Sequence, residues 1–278
     1  MTADGHEAEG SAGVAERVEG PTAGSLEPAT TVVVGAAQGI GAGIARRLAG
    51  ESWTSRLVLA DLKPDGCREL AAELGGDVET EVHDVDIADP AQVAGLVASS
   101  TDAARVAIAA GTFAPAAAIE VDREQFARII EVNLTGVFFV AQAYARAMAE
   151  RGSGAIVGVA SIAARMPRMR QAAYCASKAG MRQGLRVLGM EAAPLGVRVN
   201  TVSPGATDTP MMRALAADHA NVNDLAHGSL EAMRPRIPGG RVATPVDVAN
   251  VVSFLLSPAS EHVRLQDVVV DGGELLGM

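Results

Sequence analysis

A tyrosine and a lysine stand four residues apart in the segment Tyr174-Cys-Ala-Ser-Lys178, and Ser161 precedes the tyrosine by 13 residues. On a helix, side chains four residues apart lie on one face, so the phenol and the ammonium can act together. A phenol with a reference pKa of about 10 is a poor base at neutral pH, but a nearby positive charge favours the phenolate. Taken singly these are ordinary structural residues; together they predict proton transfer at a hydroxyl group whose oxygen Ser161 can hold.

A glycine-rich segment, Gly35-Ala-Ala-Gln38-Gly39-Ile40-Gly41, joins a predicted strand to a predicted helix. Its glycines allow a tight turn and a close approach to a pyrophosphate, which the helix N-terminus then faces. Asp61 follows Gly41 by 20 residues at the end of the next predicted strand. There a carboxylate accepts the ribose hydroxyls of NAD and repels the 2′-phosphate of NADP, although Asp61 can also simply begin a turn. The segment predicts NAD as cofactor, bound by Gly35, Gln38, Gly39, Ile40, Gly41 and Asp61.

Short apolar runs alternate with helical patterns from Thr30 onward, which is typical of βαβ units. We expect a single α/β domain over residues 28–278, with a Rossmann-type, doubly wound parallel sheet of about seven strands. In such sheets ligands bind at the carboxyl ends of the strands, where the candidate residues fall. The predicted strands are Thr31 to Val34, Leu57 to Ala60, Glu79 to His83, Val106 to Ala109, Ala155 to Ala160, Val197 to Val202 and Asp267 to Val270.

The composition favours small-molecule chemistry. The chain has 278 residues, a net charge of -10 and no apolar run close to the ~18 residues that cross a bilayer. Nucleic acids and anionic membranes are bound through Lys and Arg, so neither partner is expected. Cys67 and Cys175 lack disulfide or metal-ligand spacing, so we expect no metal site and a cytoplasmic location.

The first 27 residues differ from the rest of the chain. They contain six acidic residues and one basic residue, with much Gly and Ala. Such a composition buries too little apolar surface to offset the entropy of ordering, so residues 1–27 are predicted to be a disordered acidic tail.

The order of these motifs from Thr30 to Met278 resembles that of the classical short-chain dehydrogenases. The resemblance implies that Tyr174 is the catalytic acid/base and that Ser161 orients the substrate oxygen. It also implies that Lys178 binds the ribose and tunes Tyr174, and that Asn133 anchors a water in a proton relay. In this family a homotetramer is the usual assembly.

The same resemblance implies further cofactor contacts. Asp84 with Val85 matches the adenine contact, and Gly111 ends a segment that corresponds to the family's Asn-Asn-Ala-Gly. The nicotinamide carboxamide would be held by the segment that contains Pro204, Gly205, Thr207 and Thr209.

Three segments resemble a narrower group, the 2,3-dihydro-2,3-dihydroxybenzoate dehydrogenases, whose substrate is an anionic cyclohexadiene carboxylate. Arg168, between Ser161 and Tyr174, matches this group and is expected to pair with the substrate carboxylate. Met211 and Met212 are expected to cover the ring, with core packing as the alternative. The segments are Ala164-Arg-Met-Pro167-Arg168, Ser203-Pro-Gly-Ala-Thr-Asp-Thr209-Pro-Met and Leu265-Gln-Asp267-Val-Val-Val-Asp-Gly-Gly273.

The predicted reaction is oxidation of a ring alcohol, in which Tyr174 takes the hydroxyl proton and NAD takes the hydride. It would convert 2,3-dihydro-2,3-dihydroxybenzoate to 2,3-dihydroxybenzoate. An alternative substrate is trans-2,3-dihydro-3-hydroxyanthranilate, which would give 3-hydroxyanthranilate by the same steps. The same motifs also occur in a general ketone or 3-oxoacyl reductase, against which Asp61 argues, and the fold could serve an NAD-sensing binding protein.

Overall fold

Seven parallel strands form one sheet in the computed structural model, which describes residues 28–216 and 221–277. The predicted tail, residues 1–27, lies outside the described residues. The strands are β1 (Ala29–Val34), β2 (Thr54–Asp61), β3 (Glu79–Asp84), β4 (Arg105–Ile108), β5 (Gly154–Val159), β6 (Val197–Pro204) and β7 (Asp267–Val270).

The strand order is β3-β2-β1-β4-β5-β6-β7. The chain moves outward from β1 to β3, returns to place β4 on the other side of β1, and then moves outward to β7. The direction of crossing therefore reverses between β1 and β4, which is where doubly wound sheets bind their ligands. The predicted Rossmann-type fold is confirmed.

Eight α-helices connect the strands of the described chain. They are α1 (Gly39–Ala49), α2 (Pro64–Leu74), α3 (Pro90–Ser99), α4 (Arg123–Ile130), α5 (Val137–Arg151), α6 (Ala172–Ala192), α7 (Pro210–Leu215) and α8 (Pro245–Leu256). A π-helical stretch, Glu131–Gly136, joins α4 to α5. Several helices begin where a side chain accepts a main-chain N–H, which satisfies donors at the first turn; these caps are Asp89, Asp122, Thr209 and Thr244.

The sheet is buried on both faces. All eight residues of β6 are buried, and successive strand residues alternate between two cores: Val32 and Val34 face one, and Val33 faces the other. The first core contains side chains of α3, α5 and α6, including Tyr144 and Met181. The second contains side chains of α1, α2 and α8. Near-continuous apolar strands are typical of parallel sheets covered on both sides.

The segment between β6 and α8, residues 206–244, is called here the β6–α8 segment. Its described part has a small core of its own that includes Leu225 and Ile237. A hairpin-like turn in it is closed by two main-chain hydrogen bonds between Ser229 and Arg234. The segment begins at the carboxyl end of the sheet, beside the loops that follow β5 and β7.

Strand β2 begins at Thr54, three residues before the predicted start at Leu57. The apolar pattern of the sequence does not reveal this extension, because the extension contains the polar residue Arg56. In the fold Arg56 pairs with Glu81 of β3 and lies 3.5 Å from Asp102. Ion pairs across the sheet thus allow a polar residue within a strand.

One helical stretch, Arg123–Arg151, is long and apolar enough to cross a membrane by length and hydropathy alone. Within it Val140, Tyr144 and Met148 are fully or almost fully buried in the protein core. Core helices of soluble proteins pass the same test, so this finding is weak evidence for a membrane span.

Candidate active site

Tyr174, Lys178 and Ser161 come together at the carboxyl ends of the central strands. Ser161 lies two residues beyond β5, and Tyr174 lies in the first turn of α6. The Ser161 side chain lies close enough to the Tyr174 phenol to lower the pKa of that phenol. The Ser161 hydroxyl also accepts the N–H of Ala163 at 3.1 Å, which fixes its direction. The predicted catalytic residues are therefore neighbours in the fold.

Burial dominates the protonation of this group. It raises the pKa of the Tyr174 phenol to about 12, and the nearby Ser161 side chain opposes the shift. It lowers the pKa of the Lys178 ammonium to about 8. The ammonium donates to the main-chain oxygen of Val159 at 2.9 Å and lies 5.9 Å from the centre of the tyrosine ring. Desolvation is thus the largest influence on the phenol, and the predicted tuning of Tyr174 by Lys178 stays a prediction.

Asn133 is fully buried in the π-helical stretch between α4 and α5. Its side-chain oxygen accepts the N–H of Thr112 at 2.7 Å, and its Nδ2 donates to the Thr112 carbonyl oxygen at 2.8 Å. Nδ2 also lies 3.3 Å from the hydroxyl of Ser177 in α6. Asn133 thus ties the end of β4 to the catalytic helix, and its predicted part in a proton relay stays a prediction. Single π-helical turns often mark functional sites.

Phe113 packs against Tyr174, the candidate acid/base, and was missed by the sequence analysis. The two ring centres are 5.2 Å apart, and the planes meet at 83°. An edge-to-face pair of this kind favours one orientation of the Tyr174 ring. Phe113 follows Gly111 by two residues, so the only signal in the sequence was its place after a strand that ends at the predicted cofactor site.

The glycine segment has the geometry that a pyrophosphate requires. Gly35 has φ of +85°, and a Cβ there would lie 2.4 Å from the main-chain nitrogen of Ala110. A Cβ at Gly41 would lie 1.8 Å from the Gly35 carbonyl oxygen. Gln38 precedes α1 without a capping hydrogen bond from its side chain, and Ile40 packs on the second core. The N–H groups of the first turn of α1 can therefore face an anion.

Asp61 ends β2 beside the glycine segment. One carboxylate oxygen accepts the N–H of Ala37 at 3.0 Å, and the other accepts the N–H of Lys63 at 2.9 Å. Asp61 thus begins a turn and also contacts the glycine segment, while its predicted contact with the ribose stays a prediction. Asp84 is paired with Asp61 in the register of β2 and β3, and the next residue, Val85, donates its N–H to the Asp61 carbonyl oxygen.

Gly111 and the segment after β6 lie around the same site. A Cβ at Gly111 would be 3.3 Å from the Asn133 side-chain oxygen and 3.5 Å from the Lys178 ammonium. Thr209 caps α7, and its side chain would be 3.3 Å from a Cβ at Gly39. The remaining predicted residues of this segment are Pro204 at the end of β6, Gly205, and Thr207, whose hydroxyl donates to the Gly205 carbonyl oxygen.

The arginines of the loop before α6 have protein partners. Arg168 pairs with Glu274 at 2.7 Å, and Arg165 pairs with Asp267 at 2.7 Å. Glu274 and Asp267 lie more than 100 residues further along the chain, so sequence reasoning missed both. Glu274 thus occupies Nη2 of Arg168, and the predicted contact of this arginine with a substrate carboxylate stays a prediction. Arg170 is exposed and has φ of +63°.

The two methionines expected over the substrate ring have different surroundings. Met211 is 41% exposed at the start of α7. Met212 packs against the small core of the β6–α8 segment, which is the alternative that the sequence left open. Of the two, Met211 is thus the one that presents its side chain to a ligand without first leaving a packed position. Within residues 28–216 and 221–277, no group of three or more His, Cys, Asp or Glu side chains is arranged to hold a metal ion.

Comparisons with known proteins identify relatives that match most of the chain. The family model described as enoyl-(acyl carrier protein) reductase matches residues 35–274. A 2,3-dihydro-2,3-dihydroxybenzoate dehydrogenase of Bacillus subtilis (strain 168) is 33% identical over 258 residues, covering 91% of this chain and 98% of that protein. A protein of the same name from Escherichia coli (strain K12) is 39% identical over 202 residues, covering 71% and 81%.

A solved structure supports the same relationship. It is described as a putative NAD(P) dependent gluconate 5-dehydrogenase from Beutenbergia cavernae with bound NADP at low occupancy. It matches with a TM-score of 0.80 at 34% identity, covering 91% of this chain and 98% of that chain.

The fold and the site define an oxidoreductase that acts on CH–OH groups and binds a nicotinamide dinucleotide. The chain belongs to the short-chain dehydrogenase/reductase family, which confirms the resemblance seen in the sequence. The residues present fit the cofactor of that family, because a Cβ at Gly35 or Gly41 would collide with main-chain atoms of Ala110 or Gly35, so only glycine permits the tight turn before α1. Within the family, the relatives from Bacillus subtilis and Escherichia coli act by name on a dihydroxylated dihydrobenzoate.

Proposed function

We propose that this protein oxidises a ring secondary alcohol of a cyclohexadiene carboxylate with NAD, and that its substrate is 2,3-dihydro-2,3-dihydroxybenzoate. The observation that carries the proposal is that Tyr174, Ser161 and Lys178 come together at the carboxyl end of β5. The relatives from Bacillus subtilis and Escherichia coli carry the name of this activity at 33% and 39% identity. The product would be 2,3-dihydroxybenzoate.

The phenolic oxygen of Tyr174 accepts the proton of the substrate hydroxyl, and the Ser161 hydroxyl holds the same substrate oxygen. For this role the pKa of Tyr174 has to fall from about 12. Lys178, four residues along α6, supplies a positive charge for that purpose, and the positive nicotinamide ring of a bound cofactor adds to it. NAD, when bound, accepts the hydride. Loss of the proton and the hydride from one C–OH group gives a ketone, which enolises to the aromatic product.

The preference for NAD rests on Asp61. Its carboxylate lies at the end of β2, against the N–H of Ala37. A 2′-phosphate placed there would meet a negative charge, whereas ribose hydroxyls would meet an acceptor. Residues 36–38 of the glycine segment contain no Lys or Arg to offset that repulsion.

The test is an NADH-formation assay with purified protein, in which 2,3-dihydro-2,3-dihydroxybenzoate and trans-2,3-dihydro-3-hydroxyanthranilate are offered side by side. We expect turnover of the dihydroxy acid, with NAD preferred to NADP by at least about tenfold in kcat/KM. Tyr174→Phe is expected to lower kcat by at least about a hundredfold and to leave NAD affinity intact, since only the proton acceptor is removed.

Tyr144→Phe is the matched control, because Tyr144 is the chain's other tyrosine and is buried against Ser100 in the core. It is expected to keep normal turnover. Preferential use of the amino-substituted acid would transfer the assignment to 3-hydroxyanthranilate formation. Oxidation of neither acid would show that the substrate class is wrong.

A further inference from the structure

Two arginines from separate segments share one buried carboxylate. Glu274, in the turn after β7, is fully buried. Its Oε1 accepts one hydrogen bond from Nη2 of Arg168 at 2.7 Å and another from Nε of Arg234 at 3.2 Å. Arg168 belongs to the loop between Ser161 and Tyr174, and Arg234 belongs to the hairpin-like turn of the β6–α8 segment. We call Arg168, Arg234 and Glu274 the Arg–Glu–Arg cluster.

The cluster lies where the substrate-side loops of the sheet converge. Glu274 Oε2 would be 3.2 Å from a Cβ at Gly205, which follows the last residue of β6. The loops after β5, β6 and β7 leave the same edge of a parallel sheet and therefore surround one region. The cluster thus borders the segment assigned to the nicotinamide and the loop that leads to Tyr174.

Some polar atoms of the cluster form no hydrogen bond. Among the described residues, Arg168 Nη1 and Glu274 Oε2 are buried without a hydrogen-bond partner. Arg234 uses its Nε for the bond to Glu274, so its two terminal nitrogens are not needed to hold it in the cluster. Buried polar groups are ordinarily satisfied, so an unpaired guanidinium donor at this place points to a ligand that accepts hydrogen bonds.

The net charge of the cluster also favours a ligand that accepts hydrogen bonds, and in particular an anion. Two guanidinium groups face one carboxylate, so the cluster carries a net charge of one positive unit. Asp271 adds a negative charge nearby, but its two carboxylate oxygens face the N–H groups of Gly273 and Leu275 and form no ion pair with either arginine. The Arg168 and Arg234 side chains are only 11% and 15% exposed, so water screens this charge weakly.

We propose that Arg234 and Arg168, held in place by Glu274, form the subsite for the carboxylate of the substrate. Arg234 is a specificity-determining residue of this subsite, and Glu274 is the positioning residue that brings both guanidinium groups together. A carboxylate bound there would accept hydrogen bonds from Arg168 Nη1 and from the terminal nitrogens of Arg234, and would balance the charge. The inference rests on the proposed function, since it supplies the site for the acid group of that substrate.

The experiment compares Arg234→Gln with Arg236→Gln, which removes an arginine two residues further along the same segment. Binding of benzoate and of neutral benzamide is measured by calorimetry, independently of turnover. For Arg234→Gln we expect benzoate to bind roughly ten- to a hundredfold more weakly, with KM for the dihydroxy acid raised to match. Arg236→Gln is expected to change neither, and benzamide is expected to bind both variants and the wild type alike.

A second substrate distinguishes the loss of carboxylate binding from a general loss of enzyme activity. A cyclohexadiene diol that lacks the carboxylate should be oxidised by Arg234→Gln with nearly normal kcat/KM, because the removed charge has no partner on it. Equal loss on the acid and the diol, or no loss on the acid, would overturn the proposal. If circular dichroism shows Arg234→Gln to be unfolded, Arg234→Lys carries the test: it keeps the charge but loses the planar guanidinium, so it should weaken benzoate binding selectively.

The results also distinguish the two proposals. If the wild type oxidises neither dihydro acid but binds benzoate through Arg234, the proposed function is wrong and the subsite stands. If the wild type oxidises the dihydroxy acid and Arg234→Gln leaves KM and benzoate binding unchanged, the function stands and the subsite is wrong.

Discussion

Lys178 brings a positive charge into the protein interior. The residue is 4% exposed, and its ammonium donates to the main-chain oxygen of Val159. Burial lowers the pKa of this ammonium from 10.5 to about 8. The charge that we propose to serve catalysis therefore costs stability, since folding must desolvate it at neutral pH.

The sign of the pH dependence follows from this lowered pKa. Below pH 8 the lysine is charged in both the folded and the unfolded chain, and the folded state bears the desolvation cost. Between about 8 and 10.5 the folded state is neutral at this site while the unfolded state still binds the proton, so the contribution of Lys178 to stability rises with pH.

We predict that Lys178→Met is more stable than the wild type at pH 7 and inactive in NADH formation. The free energy of unfolding of the wild type, relative to this variant, should increase by roughly 3 kcal/mol as the pH is raised from 8 to 10.5. Urea unfolding of both proteins across this range measures the difference, in which other titrating groups cancel. A difference that stays constant with pH would show that burial does not shift the lysine.

At the scale of elements, the first βαβ unit brings cofactor-binding groups from two strands together. Strand β1 runs into α1 through the glycine segment, and β2 ends at Asp61 beside it. The hydrogen bond from the Ala37 N–H to Asp61 joins the two strand ends. The unit thus joins the glycine segment, proposed to hold the phosphates, to the carboxylate that is proposed to face the ribose.

We predict that Asp61→Ala narrows the preference for NAD over NADP by about tenfold, mainly by improving kcat/KM with NADP, because a repulsive carboxylate is removed. Kinetics with both cofactors at fixed substrate test this. Asp65→Ala is a suitable control, since Asp65 lies four residues on at the start of α2 and pairs with Arg68 on the surface. An unchanged ratio in Asp61→Ala would mean that another residue selects the cofactor.

The π-helical stretch contacts α6, the helix that carries Tyr174 and Lys178. It places the buried Asn133 side chain against Thr112 after β4 and Ser177 in α6. A regular helix from α4 to α5 would rotate that side chain relative to both partners. The position of the catalytic helix therefore depends on an irregular turn in the neighbouring helix.

At the scale of the whole molecule, α4, α5 and α6 expose large apolar side chains. Phe139 is 52% exposed and Met190 is 60% exposed, with Phe126 and Val187 at 36% and 41%. Grouped apolar side chains on a protein surface commonly mark contacts with another protein chain. We propose that these helices form the contact between subunits of a homotetramer.

We predict a solution mass of four times the 28.4 kDa of the chain, measured by light scattering after size exclusion. Phe139→Lys combined with Met190→Lys should dissociate the assembly, because two charges would be buried at the contact. Leu230→Lys, at a position that is 97% exposed in the β6–α8 segment, should leave the mass unchanged. A monomeric wild type would contradict the proposal.

The sequence by itself determined the sheet, the glycine segment and the candidate catalytic residues, whose roles came from the family resemblance. Each depends on short-range rules: strand and helix periods, a glycine turn between β1 and α1, and a spacing of four between Tyr174 and Lys178. Such rules act within a few residues, so the pattern can be recognised in the amino-acid sequence. They also predicted a doubly wound sheet, since short right-handed crossovers leave few topologies.

Only the tertiary structure decided which side chains from distant parts of the sequence contact each other. Arg168 finds Glu274 at a separation of 106 residues, and Arg234 joins them from 40 residues before Glu274. The packing of Phe113 on Tyr174 and the raised pKa of that phenol likewise depend on what surrounds the ring. No local period encodes such contacts, because they arise only when separate loops converge at one edge of the sheet. Desolvation, which sets these charges, is a property of the folded surroundings and not of the residue type.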